Sequence, residues 1–283
     1  MRLAVLSGKG GTGKTLLSVN LAAAADNAAY VDCDVEEPNG HLYFPSDKKQ
    51  KTPVYRMIPH INPDLCTGCR TCVDFCRFNA LAIAGTTVTV FDQVCHSCGG
   101  CRELCPTKAI SEEPRLIGEV SDSRVGNIRV LSGELRTKEA FGIPIIKMLF
   151  KKLTPEDSFV VVDCPPGSAC AVMESIQDAD VCLLVAEPTI FGAHNLNMVV
   201  KLSRLFNKPI GVVLNKCEAR ENPSEVFCLA NNLPILAKIP FDLEIGALHS
   251  EAKIAVAADP KYRELFTQIL NRVKELLPEG GEK

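Results

Sequence analysis

The sequence has no uninterrupted run of about eighteen apolar residues, the least that a membrane-crossing helix needs. It also lacks the apolar core of a secretory leader, because MRLAVLSGKGG reaches a glycine-rich loop after a short apolar run. A cytoplasmic location is expected, and membrane association is not. An excess of charge of one sign is missing as well. The 31 basic and 34 acidic residues are mixed along the chain and leave a net charge of −3, so no basic face is offered to nucleic acid. Disorder is excluded by composition: 283 residues, 46% apolar and 23% charged, suffice for one sizeable core and a smaller satellite.

Cysteine, by contrast, is abundant, with 14 residues. An even count in a small secreted domain would suggest disulfides, but this chain is neither short nor expected to be exported, which favours metal. Eight of the cysteines fall at regular spacing within residues 66–105. The other six, Cys33, Cys164, Cys170, Cys182, Cys217 and Cys228, form no CxxC and mostly adjoin apolar runs, as expected of buried packing residues.

Outside the cysteine-rich window, short apolar runs alternate with segments of helical pattern. RLAVL (2–6), AAYVD (28–32), FVVVD (159–163), VCLLVA (181–186) and GVVLN (211–215) read as buried parallel strands. Segments 14–26 and 193–206 read as helices between them, and the alternation predicts an α/β fold with a mainly parallel sheet flanked by helices. Residues 60–118 break the pattern and are too poor in apolar runs to build a core of their own. They are expected to form an inserted module within a discontinuous domain made of 1–59 and 119–283. Its halves repeat each other, CTGCRTCVDFCRFNALAI against CHSCGGCRELCPTKAIS, which indicates an internal duplication.

GKGGTGKT (8–15) satisfies G-x-x-x-x-G-K-[ST], directly after a strand and before a helix. Gly8, Gly10, Gly11 and Gly13 let backbone N–H groups turn inward around phosphates, and Thr12 completes the loop. Lys14 neutralises charge, and the Thr15 hydroxyl is the expected Mg²⁺ ligand. In the repeated module, Cys66, Cys69, Cys72 and Cys76 form C-x₂-C-x₂-C-x₃-C, and Cys95, Cys98, Cys101 and Cys105 repeat it. This is the signature of two-cluster bacterial ferredoxins, in which the fourth cysteine of each motif ligates the other cluster. Two [4Fe–4S] clusters are expected, one on Cys66, Cys69, Cys72 and Cys105, the other on Cys76, Cys95, Cys98 and Cys101. Four-thiolate zinc sites more often show two CxxC pairs. Pro106 follows the last cysteine of the second motif, whereas Arg77 stands in that place in the first.

With Lys9 inside it, the loop resembles the deviant Walker A of the MinD/ParA/Mrp ATPases, to which the nitrogenase iron protein is related. The whole chain resembles members of that superfamily that carry an inserted ferredoxin domain. The resemblance implies ATP with Mg²⁺, and a homodimer in which Lys9 crosses to the partner's nucleotide. It also implies Asp34, in VDCDVEEPN (31–39), beside the attacking water, and Asp163, in VVVDCPPG (160–167), holding Mg²⁺ through water. Asn215 is implied at the adenine edge. The paired C-terminal CxxC of the Mrp-type cluster scaffolds is absent. Cys164 and Cys170 lie where related ATPases approach the dimer axis, so a bridging cluster or redox sensor is conceivable there. The final segment, 262–277, is amphipathic and is expected to pack on the core rather than on a membrane. The expected function is an ATPase whose dimer switch gates electron transfer to a partner. Metallocluster assembly and an electron-carrying adaptor are the alternatives.

Overall fold

The five apolar runs become the centre of one nine-stranded sheet in the computed structural model, which describes residues 1–25, 27–218 and 221–277. The strands are β1 (Arg2–Leu6), β2 (Ala28–Asp32), β3 (Gln50–Ile61), β4 (Leu81–Ala84), β5 (Thr87–Val90), β6 (Ile110–Val125), β7 (Ile128–Leu135), β8 (Val160–Asp163), β9 (Val181–Ala186), β10 (Ile210–Cys217) and β11 (Ile235–Pro240). The large sheet runs β11-β10-β9-β1-β8-β2-β7-β6-β3, while β4 and β5 pair separately. Every pairing from β11 to β7 is parallel, and β6 and β3 add an antiparallel edge.

The helices are α1 (Lys14–Ala24), α2 (Thr71–Phe75), α3 (Gly100–Glu103), α4 (Ile143–Lys151), α5 (Cys170–Ile176), α6 (Ile190–Leu205), α7 (Pro223–Ala230), α8 (Leu243–Ser250), α9 (Ala255–Ala258) and α10 (Pro260–Lys274). Crossover helices cover both faces of the sheet, so its central strands are buried at nearly every position rather than at alternate ones. In β1, Leu3 and Val5 face one apolar layer with α1 and α10, whereas Ala4 and Leu6 face the other with α4, α5 and α6.

The antiparallel edge was not visible in the periodicity. β3 and β6 pair from Gln50↔Asp122 to Ile61↔Ile110, so the expected module boundaries near residues 60 and 118 fall inside these strands. The cysteine motifs are carried on a ribbon continuous with the sheet. Their own apolar cluster is small, with Cys72, Leu81, Cys101 and Ile110 buried and Cys76 and Cys105 packed beside them.

α10 begins with Asp259 capping the Lys261 amide and Pro260 in the first turn, and it ends with Arg272 and Lys274, which suit its dipole. Tyr262, Phe266, Ile269, Leu270 and Val273 are buried, so its apolar stripe is spent on the core beside α1. No helix among the described residues is long and apolar enough to cross a membrane. Phe266→Ala is expected to destabilise the chain by about 3–5 kcal/mol in urea unfolding. A change near zero would mean that α10 is not part of the core.

Candidate functional site

β1 ends at Leu6, α1 begins at Lys14, and the seven residues between them wrap the C-terminal edge of the sheet. Gly11 (φ 78°) and Gly13 (φ 96°) adopt left-handed backbone that side chains resist. Gly8 has a packing reason: a Cβ there would sit 2.3 Å from the Asn195 carbonyl oxygen. Two residues from the end of β10 hold the loop. Asn215 Nδ2 donates to the Thr12 carbonyl at 2.8 Å, and Lys216 Nζ donates to the Gly11 carbonyl at 2.8 Å. Asn215, expected at the adenine edge, thus uses an amide hydrogen on the loop itself while still lining the cavity.

That cavity, about 1460 Å³ including its open mouth, is bounded on one side by Gly10, Gly11, Gly13, Lys14 and Thr15 and on another by Asp34, Glu37 and Asn39. A third wall, from Pro240 through α8 to Ser250, carries no motif and was missed in the sequence. Its Phe241 and Leu243 present apolar surface at the mouth, as a planar base would require. The neighbouring Tyr43 and His249 are joined through the tyrosine hydroxyl and the imidazole Nδ1.

Two adjacent strand ends, of β2 and β8, and the first residue of α1 concentrate charge beneath the loop. Lys14 Nζ meets Asp163 Oδ1 at 2.6 Å, with both side chains buried, and Tyr30 donates its hydroxyl to Asp163 Oδ2 at 2.9 Å. Burial opposes the charge on Lys14, but Asp163, with Asp32 and Asp34, outweighs it and raises the lysine pKa. Asp32 is raised by burial and by Asp163, although Lys14 and the amides of Gly40 and Asp34 oppose the shift. Asp34 is also raised by burial, only partly offset by Lys14, and it faces the cavity. Lys9 points elsewhere. Its Nζ pairs with Glu187 at 2.5 Å, and Lys216 shares the same carboxylate at 2.8 Å. Partial burial would raise Glu187, but the two lysines hold it below its ordinary value.

At the ribbon tip the eight motif cysteines separate into two groups. Cys66, Cys69, Cys72 and Cys105 line one cavity, and Cys76, Cys95, Cys98 and Cys101 line another. Among the described residues, no three Cys, His, Asp or Glu side chains stand close enough to hold a single metal ion. The thiols therefore surround volumes rather than points. The duplication extends to the backbone, because left-handed residues recur at matching places in the two motifs: Gly68 and Ser97, Arg70 and Gly99, Asn79 and Lys108. Ala80 donates its amide to Cys76 Sγ and Ala109 donates to Cys105 Sγ, both at 3.3 Å. Such N–H groups favour thiolate. At Cys69 the Thr71 hydroxyl and amide lower the pKa, whereas burial pushes Cys101 up to about 11.

Of the six scattered cysteines, Cys33, Cys164, Cys182, Cys217 and Cys228 are buried, as packing residues should be. Cys170 is exposed at the start of α5, whereas Cys164 is fully enclosed in the core, so the two share no surface in this conformation.

A glycine-rich loop feeding a helix at the C-terminal edge of a parallel sheet defines a P-loop nucleotide-binding protein. More narrowly, residues 3–255 match the CobQ/CobB/MinD/ParA nucleotide binding domain, and the chain belongs to that family. It is 30% identical over 284 residues to an uncharacterized protein of Methanocaldococcus jannaschii, covering 98% of each chain. It is 22% identical over 315 residues to the iron-sulfur cluster carrier protein of Pyrococcus horikoshii, covering 100% of this chain and 90% of that one. Among solved structures, the cell division ATPase MinD of Pyrococcus furiosus superposes with a TM-score of 0.60 at 21% identity, covering 97% of this chain and 98% of that one. MinD of Pyrococcus horikoshii, complexed with Mg-ADP, gives 0.59 at 20% identity, covering 97% and 96%. These two likenesses establish the fold. Asn215→Ala is expected to weaken Mg·ADP binding by about 1–3 kcal/mol in titration calorimetry, because the Thr12 carbonyl loses its donor. An unchanged Kd would show that the loop does not need this clamp.

Proposed function

We propose that the chain is an ATP-hydrolysing iron–sulfur protein, in which a nucleotide-driven dimer switch is coupled to low-potential electron transfer to a partner. The observation that carries this reading is the division of eight thiols into two sets of four, each set taking its fourth member from the other motif. Two [4Fe–4S] clusters would be held by these sets, and when bound they would supply one-electron storage and transfer. The residues fit that group. The thiols are free, backbone amides aim at their sulfurs, and the module has little apolar core apart from its cysteines. Single-ion zinc fits less well, since four-thiolate zinc sites more often carry two CxxC pairs than two triplets each with a distant fourth cysteine.

At the nucleotide cavity, the γ-phosphate offers Lys14 a second anion. Lys14 would then turn from Asp163, and the Asp163 carboxylate and the Thr15 hydroxyl are the groups that would hold Mg²⁺, which would neutralise phosphate charge there. Tyr30 keeps its hydrogen bond and fixes the carboxylate during the exchange. Asp34, whose raised pKa comes from burial, is the group that orients the attacking water. Closure of a homodimer draws Lys9 from Glu187 to the partner's nucleotide, and Glu187 retains Lys216 as its counter-ion. The distant likeness to iron-sulfur cluster carrier proteins favours a second reading, in which the metal is cargo.

The crossed ligand sets make a test that either reading must pass. After anaerobic reconstitution the wild type is expected to hold about eight irons per chain. Cys76→Ala with Cys101→Ala, two thiols of one cavity, leaves about four. Cys76→Ala with Cys66→Ala, two thiols of one motif but of different cavities, leaves none. Equal losses from both pairs, or an iron-free wild type, would contradict the assignment. ATP turnover should vanish in Lys14→Ala, and loss of bound iron during wild-type turnover would favour the cargo reading.

A further inference from the structure

Between β7 and α4, residues 136–142 touch both halves of the molecule. At one end stands Val35, next to the cavity-lining Asp34. Its carbonyl accepts the Leu135 amide at 2.7 Å. Its side chain fills the space beside Gly133 and Gly142, where an added Cβ would come within 2.9 and 2.5 Å of the valine methyls. Val35 is buried in the core, so a shift of the Asp34 segment cannot be absorbed there without moving the start and end of the loop.

At the other end the loop grips the second cysteine motif twice. Glu139, only 6% exposed, binds Arg56 at 3.0 Å and Arg115 at 2.8 Å. The side chain of Arg56 is 1% exposed, and its guanidinium donates to the carbonyls of Cys95 and Asp92. Arg115 also pairs with the Asp92 carboxylate. Separately, the Phe141 ring lies 4.6 Å from the His96 ring, which stacks on Phe78 at 3.7 Å. His96 and Phe78 line the cavity of Cys76, Cys95, Cys98 and Cys101. The buried Arg56 Nε has no partner among the described protein groups. Among the described residues, no hydrogen bond, ion pair or ring contact joins residues 136–142 to Cys66, Cys69 or Cys72.

We propose that the 136–142 loop transmits the nucleotide state from the Asp34–Val35 segment to the second four-thiol cavity alone, with Glu139 and Phe141 as its positioning residues. This rests on the proposed function in one respect, that the second cavity is a cluster site. The mechanical link stands on the contacts themselves. A buried ion pair and a stacked ring favour discrete arrangements over gradual deformation, as a two-position coupling requires. The network ties down the carbonyl of a ligand residue, so a change in its position alters the dipoles and amides around that cluster.

The test is hydrogen exchange on the full chain with and without ATP·Mg²⁺, with iron counted on the same samples. Peptides covering 92–98 are expected to change their exchange rate roughly fivefold or more on nucleotide binding, while peptides covering 66–72 stay unchanged. Glu139→Gln keeps the shape but removes the charge and the acceptor for one of the two arginines, and Phe141→Leu keeps apolar bulk without the ring. Each should bind nucleotide with wild-type affinity yet reduce the response at 92–98, and the double variant should abolish it. A full response in the double variant, or equal responses in both motifs of the wild type, would overturn the link. Iron near zero would instead sink the cluster reading, and the exchange rates would still decide the loop's role.

Discussion

A buried ammonium and a buried carboxylate, Lys14 and Asp163, neutralise each other at 2.6 Å, and the arrangement of the central strands follows from that pairing. Neither charge tolerates burial alone, so the first residue of α1 and the end of β8 must meet. β1, which leads into the loop before Lys14, lies directly beside β8 with Val5 opposite Asp163, and β2 brings Asp32 opposite the same aspartate. On the proposed mechanism, nucleotide binding would give both Lys14 and Asp163 new partners at once. A site built on mutual neutralisation is therefore responsive by construction, whereas one built on separate solvated charges would not be.

The second constraint is the shortage of apolar material at the ribbon tip. A module whose buried cluster is half cysteine has little packing to set its geometry, and on the proposed function the clusters held by its thiols would supply the rest. The ribbon supplies position. β6 spans 16 residues and pairs along one side with β7 and along the other with β3, so the tip is tied to the strand that also contacts Val35. The nucleotide loop and the thiol cavities thus meet through one edge of a single sheet rather than through a flexible linker.

Much of this was legible in the residues. GKGGTGKT and the two cysteine motifs impose strict residue types at fixed spacing, and five buried strands announce themselves as continuous apolar runs. The rest was hidden for physical reasons. β3, the edge strand, and its neighbour β6 are half-exposed and rich in charge and proline, so they carry neither an apolar run nor clean alternation. The Arg56–Glu139 pair joins residues far apart in sequence, and each alone looks like surface charge. Asn215 was recognised by its strand-end place, but its bond to Thr12 depends on how β10 lies beside the loop, which no local pattern encodes. Cys164 resembled a candidate interface thiol because it follows the aspartate, yet the end of a central strand is enclosed on every side.

If nucleotide state and cluster state communicate as proposed, a redox titration followed by EPR shows it. The reconstituted protein would be titrated anaerobically without nucleotide, with Mg·ADP and with Mg·ATP. Two reducible clusters are expected, with a midpoint potential that moves on ATP binding for one of them and stays fixed for the other. Identical midpoints in all three conditions would contradict it and leave the phosphate-binding loop and the cysteine module as neighbours without a shared function.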